Sequence, residues 1–151
     1  LNNSYDFITS NIRYSFSSVT TFETCKYAFK LTYIEVKDRL NNAYAQFGSL
    51  IHLCLQKFFE GKLESFELSN FYKDNYNKYV VNSFPVFHKN AAETYYNNGL
   101  VFFDNFNFDK EKYDIKIIED SIESKYNDID LIVKPDLVLF DKERKKTLLV
   151  D

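Results

Sequence analysis

Val133-Lys134-Pro135-Asp136-Leu137-Val138-Leu139-Phe140, the polar run Asp141–Lys146 and then Thr147-Leu148-Leu149-Val150-Asp151 decide how this chain reads. Two apolar, β-branched stretches separated by charged residues predict a hairpin. If the loop is symmetric, Phe140 faces Thr147, Val138 faces Leu149 and Asp136 faces Asp151. Strand side chains alternate, so both carboxylates then share a face as near cross-strand neighbours. Like charges so placed repel, and the apolar residues around them strip hydration. A divalent cation such as Mg²⁺ or Mn²⁺ offsets that cost, because both favour carboxylate oxygens. A register slip of one or two residues instead leaves both groups on solvated strand ends. Pro135 adds that this strand has an edge or an irregularity.

Asp114–Lys125 and Asp130–Phe140 read as strands, and Thr147–Val150 as the start of a third. Before them the period is helical. Ser17 or Ser18 caps a helix running to about Ile34, with Val19, Phe22, Phe29 and Tyr33 on one side. A second helix runs from about Ala43 to Glu60 and stops at Gly61, carrying the stripe Phe47, Leu50, Ile51, Cys54, Leu55, Phe58 and Phe59. A third covers about Phe66–Val81. Pro85 opens a fourth that reaches Phe102–Phe108. A helical N-terminal two-thirds followed by a strand meander predicts an α/β fold, a short mixed β-sheet flanked by helices.

The chain has 151 residues, the size of one ordinary domain. Hydrophobic residues at 45 % against 27 % charged exclude a disordered chain. Sixteen Phe and twelve Tyr without Trp or Met, with abundant Lys and Asn, fit an AT-rich coding source such as a phage or a low-GC bacterium. No apolar run is long enough to span a membrane, and no basic-then-apolar leader opens the chain, so a cytoplasmic protein is expected, in a bacterium or a phage-infected host cell. Two cysteines are too few for a disulfide framework and fit a reducing compartment. A net charge of −3 excludes bulk electrostatic binding of nucleic acid and leaves room for a local basic groove.

Pro135-Asp136, apolar strand residues and then Asp151 resemble the P-D…(D/E)-x-K motif of the restriction-endonuclease-like nuclease superfamily. Tyr14-Ser15-Phe16-Ser17-Ser18-Val19-Thr20-Thr21-Phe22-Glu23-Thr24-Cys25-Lys26-Tyr27-Ala28-Phe29 looks like the opening of RecB-type nuclease domains, a serine-rich cap leading a helix with Phe-x-x-Cys. Phe47-Gly48-Ser49-Leu50-Ile51-His52 resembles their Gly-x-x-x-His helix, whose histidine binds metal. The three blocks follow the family order and span nearly the whole chain. The resemblance implies one nuclease-like domain over residues 1–151 with a restriction-endonuclease-like core, C-terminally incomplete. Its metal ligands would be His52, Asp136 and Asp151, the two aspartates catalytic. The family's lysine would lie two residues after Asp151. The chain as given is therefore expected to be poorly active or inactive, and its parent a Mg²⁺- or Mn²⁺-dependent deoxyribonuclease. An exonuclease or a recombination and repair nuclease is implied, acting on single-stranded DNA or duplex ends, with a helicase or recombination protein as candidate partner. The alternative is a non-catalytic nuclease-like scaffold that binds nucleic acid. Val133 departs from the family, where many RecB-like members have glycine.

Single residues carry competing readings. His52 lies with Gly48, Leu55 and Phe59 at the edge of the apolar stripe, and alone would more often be a half-buried histidine on a carbonyl. Cys54 is about 200° around the helix from His52 and belongs to the core. Cys25 stands where iron–sulfur CRISPR-associated and AddB-like relatives have their first cluster ligand. A cluster would require further cysteines beyond Asp151, and a buried thiol is the simpler expectation. Glu119 or Glu123 is a candidate additional acidic residue near the metal, or either is a solvated strand position. His88 shows no partner pattern. Lys142–Lys146 reads as a solvated turn or a phosphate contact. Tyr95, Tyr96, Phe102 and Phe103 read as core or as stacking surfaces for bases.

Overall fold

The computed structural model describes residues 12–36, 42–85 and 90–150. It divides into two compact units, Leu1–Leu40 with Asp120–Lys134, and Asn41–Glu119 with Pro135–Asp151.

In the first unit, helix α1 is Phe16–Thr24 and is capped by Ser15, not by Ser17 or Ser18. Ser15 Oγ accepts the Ser18 N–H at 3.2 Å, and Ser18 Oγ accepts the Ser15 N–H at 2.8 Å. This reciprocal pair satisfies two donors that a helix start otherwise leaves open. The helix expected to continue to Ile34 is broken at Cys25, whose extended backbone (φ −155°, ψ 102°) ends α1 and begins α2, Lys26–Phe29. A π-helical turn, Lys30–Ile34, follows. Phe29 nonetheless packs edge-on against Phe22 at 5.3 Å and beside Tyr33 at 5.1 Å, as the shared face requires. Strands β2 (Ile122–Tyr126) and β3 (Ile129–Val133) form a hairpin whose two-residue turn, Asn127-Asp128, has φ of 47° and 65°. Positive φ at both positions matches the twist of the flanking strands. Tyr14 adds a parallel bridge to Leu131, so pairing in this unit is mixed.

The second unit opens with α3, Ala43–Phe59, where Asn42 Oδ1 accepts the Ala45 N–H at 2.9 Å. It ends as the sequence indicates, at Gly61 with φ 72°. A 3₁₀ turn, Ser65–Glu67, leads into α4, Leu68–Tyr79. The last helix, α5, is Ala91–Asp104; it starts at Asn90 in the left-handed region, not at Pro85. Leu50, Cys54 and Phe58 of α3 bury against Leu68, Tyr72 and Tyr76 of α4 and Phe103 of α5. The Tyr72 hydroxyl donates to the Tyr96 carbonyl at 3.2 Å, so the ring enters the core without an orphaned polar atom. Phe106 and Phe108 lie beyond the helix and fold back on Phe58 at 5.1 and 6.0 Å.

Among the described residues, β1 (Tyr113–Ile118), β4 (Leu137–Asp141) and β5 (Lys146–Val150) form an antiparallel sheet in the order β1-β4-β5. The two long strands expected before the hairpin are thus each two. Glu119 at φ 50° ends β1, and Pro135, with no N–H to give, separates β3 from β4. The expected pairs Phe140↔Thr147 and Val138↔Leu149 are both present. The turn is shorter than the polar run, because Asp141 pairs with Lys146. β4 is central, and Leu137, Val138 and Leu139 are all buried.

Asp141 is buried and organises that turn: its Oδ1 accepts the N–H groups of Arg144 at 2.9 Å and Glu143 at 3.0 Å. Its Oδ2 has no hydrogen bond, with Arg144 Nε at 3.9 Å. The Arg144 N–H hydrogen bond, joined by that of Glu143 and by the Lys112 and Arg144 charges, outweighs burial and holds the carboxyl below its ordinary value. A group depressed on folding stabilises above its unfolded pKa, about 3.9, and loses that contribution as pH falls through the folded value. Asp141→Asn should therefore lower the melting temperature at neutral pH, with the gap to the parent closing below about pH 4. Urea melts at pH 7 and pH 3 check this; an equal gap at both rules out the charge as its source.

Candidate metal centre

Gly48, His52 and Gln56 recur every four residues along α3 and share one face of it. The sheet supplies the opposing groups. Beyond the last β1–β4 pair, Ile118↔Leu137, the Glu119 N–H donates to the Asp136 carbonyl at 3.0 Å. That bond sets the two acidic residues side by side at one end of the sheet. Left-handed backbone at a residue with a side chain costs about 1–2 kcal/mol, so Glu119 is held there against its own preference.

The side chains converge. His52 Nδ1 lies 3.0 Å from Glu119 Oε1 and 3.4 Å from Asp136 Oδ1. One ligand atom from each residue lies within 4.8 Å of the other two. Exposure falls from 49 % at His52 through 29 % at Asp136 to 18 % at Glu119, so the carboxylates have lost much hydration while one side stays open. The donor set fits a divalent cation. Ligands about 2.1 Å from an ion stand roughly 3 Å apart when adjacent and about 4.2 Å when opposite, within the observed spread. Two carboxylates supply the charge, and the imidazole adds a nitrogen donor.

Two cavities meet at this centre, sharing His52, Gln56 and Glu119. One, of about 560 Å³, opens over Gly48, Ser49 and Tyr79. The other, about 180 Å³, runs between α3 and the sheet past Asp136 and Leu137.

Of the residues singled out by sequence, the structure brings together His52, Asp136 and Glu119. Asp151 and His88 lie outside the described residues, and the described register of β5 stops at Leu137↔Val150. Glu123 belongs to the first unit, where it pairs with Arg13. Gln56 and Tyr79 were not foreseen. The four-residue step from His52 marks Gln56, whereas only tertiary packing brings in Tyr79. The aromatic residues Tyr95, Tyr96 and Phe103 pack within the helical unit. The β4–β5 turn is exposed, with Lys142 donating to the Glu111 carbonyl at 2.8 Å.

Cys25 is exposed, contrary to the expected buried thiol; its sulfur accepts the Ala28 N–H at 3.4 Å, which keeps it at the start of α2 near solvent. Cys54 is buried as expected, and burial pushes its thiol up to about 12. An aromatic disulfide reagent at pH 8 should thus titrate Cys25 within minutes and Cys54 only in denaturant. Rapid reaction of both in the folded protein would contradict this packing.

Among the described residues no helix is long and apolar enough to cross a membrane. The sequence model of the PD-(D/E)XK nuclease superfamily matches residues 13–151. No curated protein and no solved structure matches the chain.

Proposed function

Because this chain belongs to the PD-(D/E)XK nuclease superfamily, we propose that it is the metal-binding core of a deoxyribonuclease, with His52, Glu119 and Asp136 as ligands. Asp151, the second acidic residue of the P-D…(D/E)-x-K resemblance, is the further carboxylate. The helices and small antiparallel sheets suit a restriction-endonuclease-like fold, and the family match runs through both compact units, which favours one nuclease-like domain. The observation that carries the reading is the convergence of three ligand atoms from α3, the end of β1 and the start of β4.

A divalent cation at such a site polarises the scissile phosphate and acidifies the attacking water. The chain's own contribution is rigidity and charge. The backbone bond between Glu119 and Asp136 fixes the spacing of their carboxylates. His52 stands on a helix whose buried face is locked into the core, which fixes the backbone that carries its imidazole. The open side leaves room for a phosphodiester.

The RecB-like ordering of the three sequence blocks favours an exonuclease or repair nuclease working with a helicase or recombination partner in the cytoplasm. It also keeps Cys25 as a cluster ligand if further cysteines accompany it. Mn²⁺ is the favoured ion, with Mg²⁺ next. Metal affinity is the first readout and cleavage of linear DNA the second. Mn²⁺ titration of the chain, followed by electron paramagnetic resonance, should show saturable uptake. Cleavage of linear DNA with sparing of closed circles would support exonuclease action. Saturable uptake without turnover would favour the non-catalytic scaffold instead.

A further inference from the structure

The cavity above Gly48 holds about 560 Å³, within the roughly 300–1,000 Å³ of small-molecule sites, whereas the neighbouring one of about 180 Å³ falls below it. The larger cavity reaches the metal centre directly, because His52 and Glu119 are part of its wall. We propose that it receives the nucleotide flanking the phosphate to be cut, with the Tyr79 ring stacking on its base. This rests on the metal-centre reading and adds to it the place and the contact by which the strand is held.

Gly48 gives the first argument. It sits inside α3, where glycine costs about 1 kcal/mol relative to alanine. Packing does not require it: a Cβ built there meets no atom within 4 Å. Its φ is not in the left-handed region either. Space on the cavity side is what the missing side chain leaves.

Tyr79 gives the second. It closes α4 and remains 42 % exposed. Tyr72, Tyr76 and Tyr96 pack on one another at 4.8–6.0 Å, whereas the Tyr79 ring has no aromatic partner and its hydroxyl no hydrogen bond among the described residues. The backbone that carries the ring is nonetheless anchored. Gln46 Oε1, from α3, accepts the N–H groups of Val81 at 3.1 Å and Asn82 at 2.9 Å, tying the chain just past Tyr79 to the helix that bears Gly48 and His52. A half-exposed aromatic ring on an anchored backbone, lining a cavity that reaches the candidate metal centre, suits a nucleobase, because every base offers a π-face.

The test compares Tyr79→Ala, Tyr79→Phe and Gly48→Leu with the unsubstituted protein. Binding of a fluorescein-labelled eight-nucleotide strand of thymidines is followed by anisotropy with Ca²⁺ present, and Mn²⁺ uptake is titrated in parallel. Tyr79→Ala should weaken strand binding about tenfold, the loss of one base stack. Tyr79→Phe should bind within about twofold of the parent, because it keeps the ring. Gly48→Leu should weaken binding similarly by filling the cavity while α3 keeps its melting temperature. Mn²⁺ uptake should be equal in all four. Unchanged strand affinity in Tyr79→Ala and Gly48→Leu, or no strand binding by a parent that takes up Mn²⁺, overturns the proposal. Absence of Mn²⁺ uptake in the parent overturns the metal centre beneath it and is recognisable as that separate failure.

Discussion

Asp136→Ala is expected to remove most of the gain in melting temperature that Mn²⁺ confers, and with it metal-dependent cleavage of DNA. The carboxylate lies 3.4 Å from His52 and shares a backbone bond with Glu119. Outer-shell partners of a metal are each worth about 10- to 100-fold in affinity, so direct loss of a charged ligand should cost at least about 100-fold. An ion at 100 times its Kd stabilises by about 2.7 kcal/mol, and at its Kd by only about 0.4 kcal/mol. For a chain of this size the first corresponds to a rise of roughly 5–11 °C, the second to about 1–2 °C. In EDTA the variant should be at least as stable as the parent, because one of two crowded like charges is gone. Cleavage should fall at least about 1,000-fold, some 4 kcal/mol on the barrier. Equal Mn²⁺-induced shifts in parent and variant would place the ion elsewhere.

Gly99→Ala should destabilise the second unit strongly. A Cβ at Gly99 would lie 2.4 Å from both Cζ and Oη of Tyr72. Tyr72 cannot swing away: its ring is fully buried and its hydroxyl is bonded to the Tyr96 carbonyl. Overpacking of this kind costs about 1–3 kcal/mol, and the double contact puts Gly99→Ala near the upper end. Helix propensity returns about 1 kcal/mol, because alanine is the better helix former. The net is roughly 2 kcal/mol, or about 4–8 °C in melting temperature. Tyr72→Leu in the same chain should remove most of the incremental cost of Gly99→Ala, whereas Tyr72→Phe should not, since Cζ remains. Additive effects for the Tyr72→Leu pair would show that the two positions do not meet.

The legible parts of the fold were those written in local chemistry. The Phe47–Phe59 stripe and Gly61 locate α3 to within a residue, and the polar run after Phe140 sets the β4–β5 register. Motif order singles out His52 and Asp136, and the structure brings their side chains within 3.4 Å of each other. Other features depend on backbone states that single residues announce poorly. Cys25 breaks a helical pattern by adopting extended backbone, and Glu119 ends a strand by turning left-handed. Neither residue type advertises such a conformation. The choice between Glu119 and Glu123 followed from that turn, since β2 begins only at Ile122. Tyr79 reaches the Gly48 cavity through packing of α4 on α3, a relation spanning some thirty residues that no local pattern encodes.

The excursion between β1 and β4 has a bearing on how such a chain diversifies. It leaves after Glu119 and returns at Pro135, while the residues at its two ends remain joined by the 3.0 Å bond from Glu119 to Asp136. The stem is therefore closed by its own hydrogen bond, independently of what hangs from it. Segments of different length and composition can be exchanged there over evolutionary time, or by a designer, with the paired strands left in register. Loop-closure entropy grows only logarithmically with length, so even large inserts burden such a stem little. The carboxylates at its mouth stand on a frame that the stem's own hydrogen bond holds.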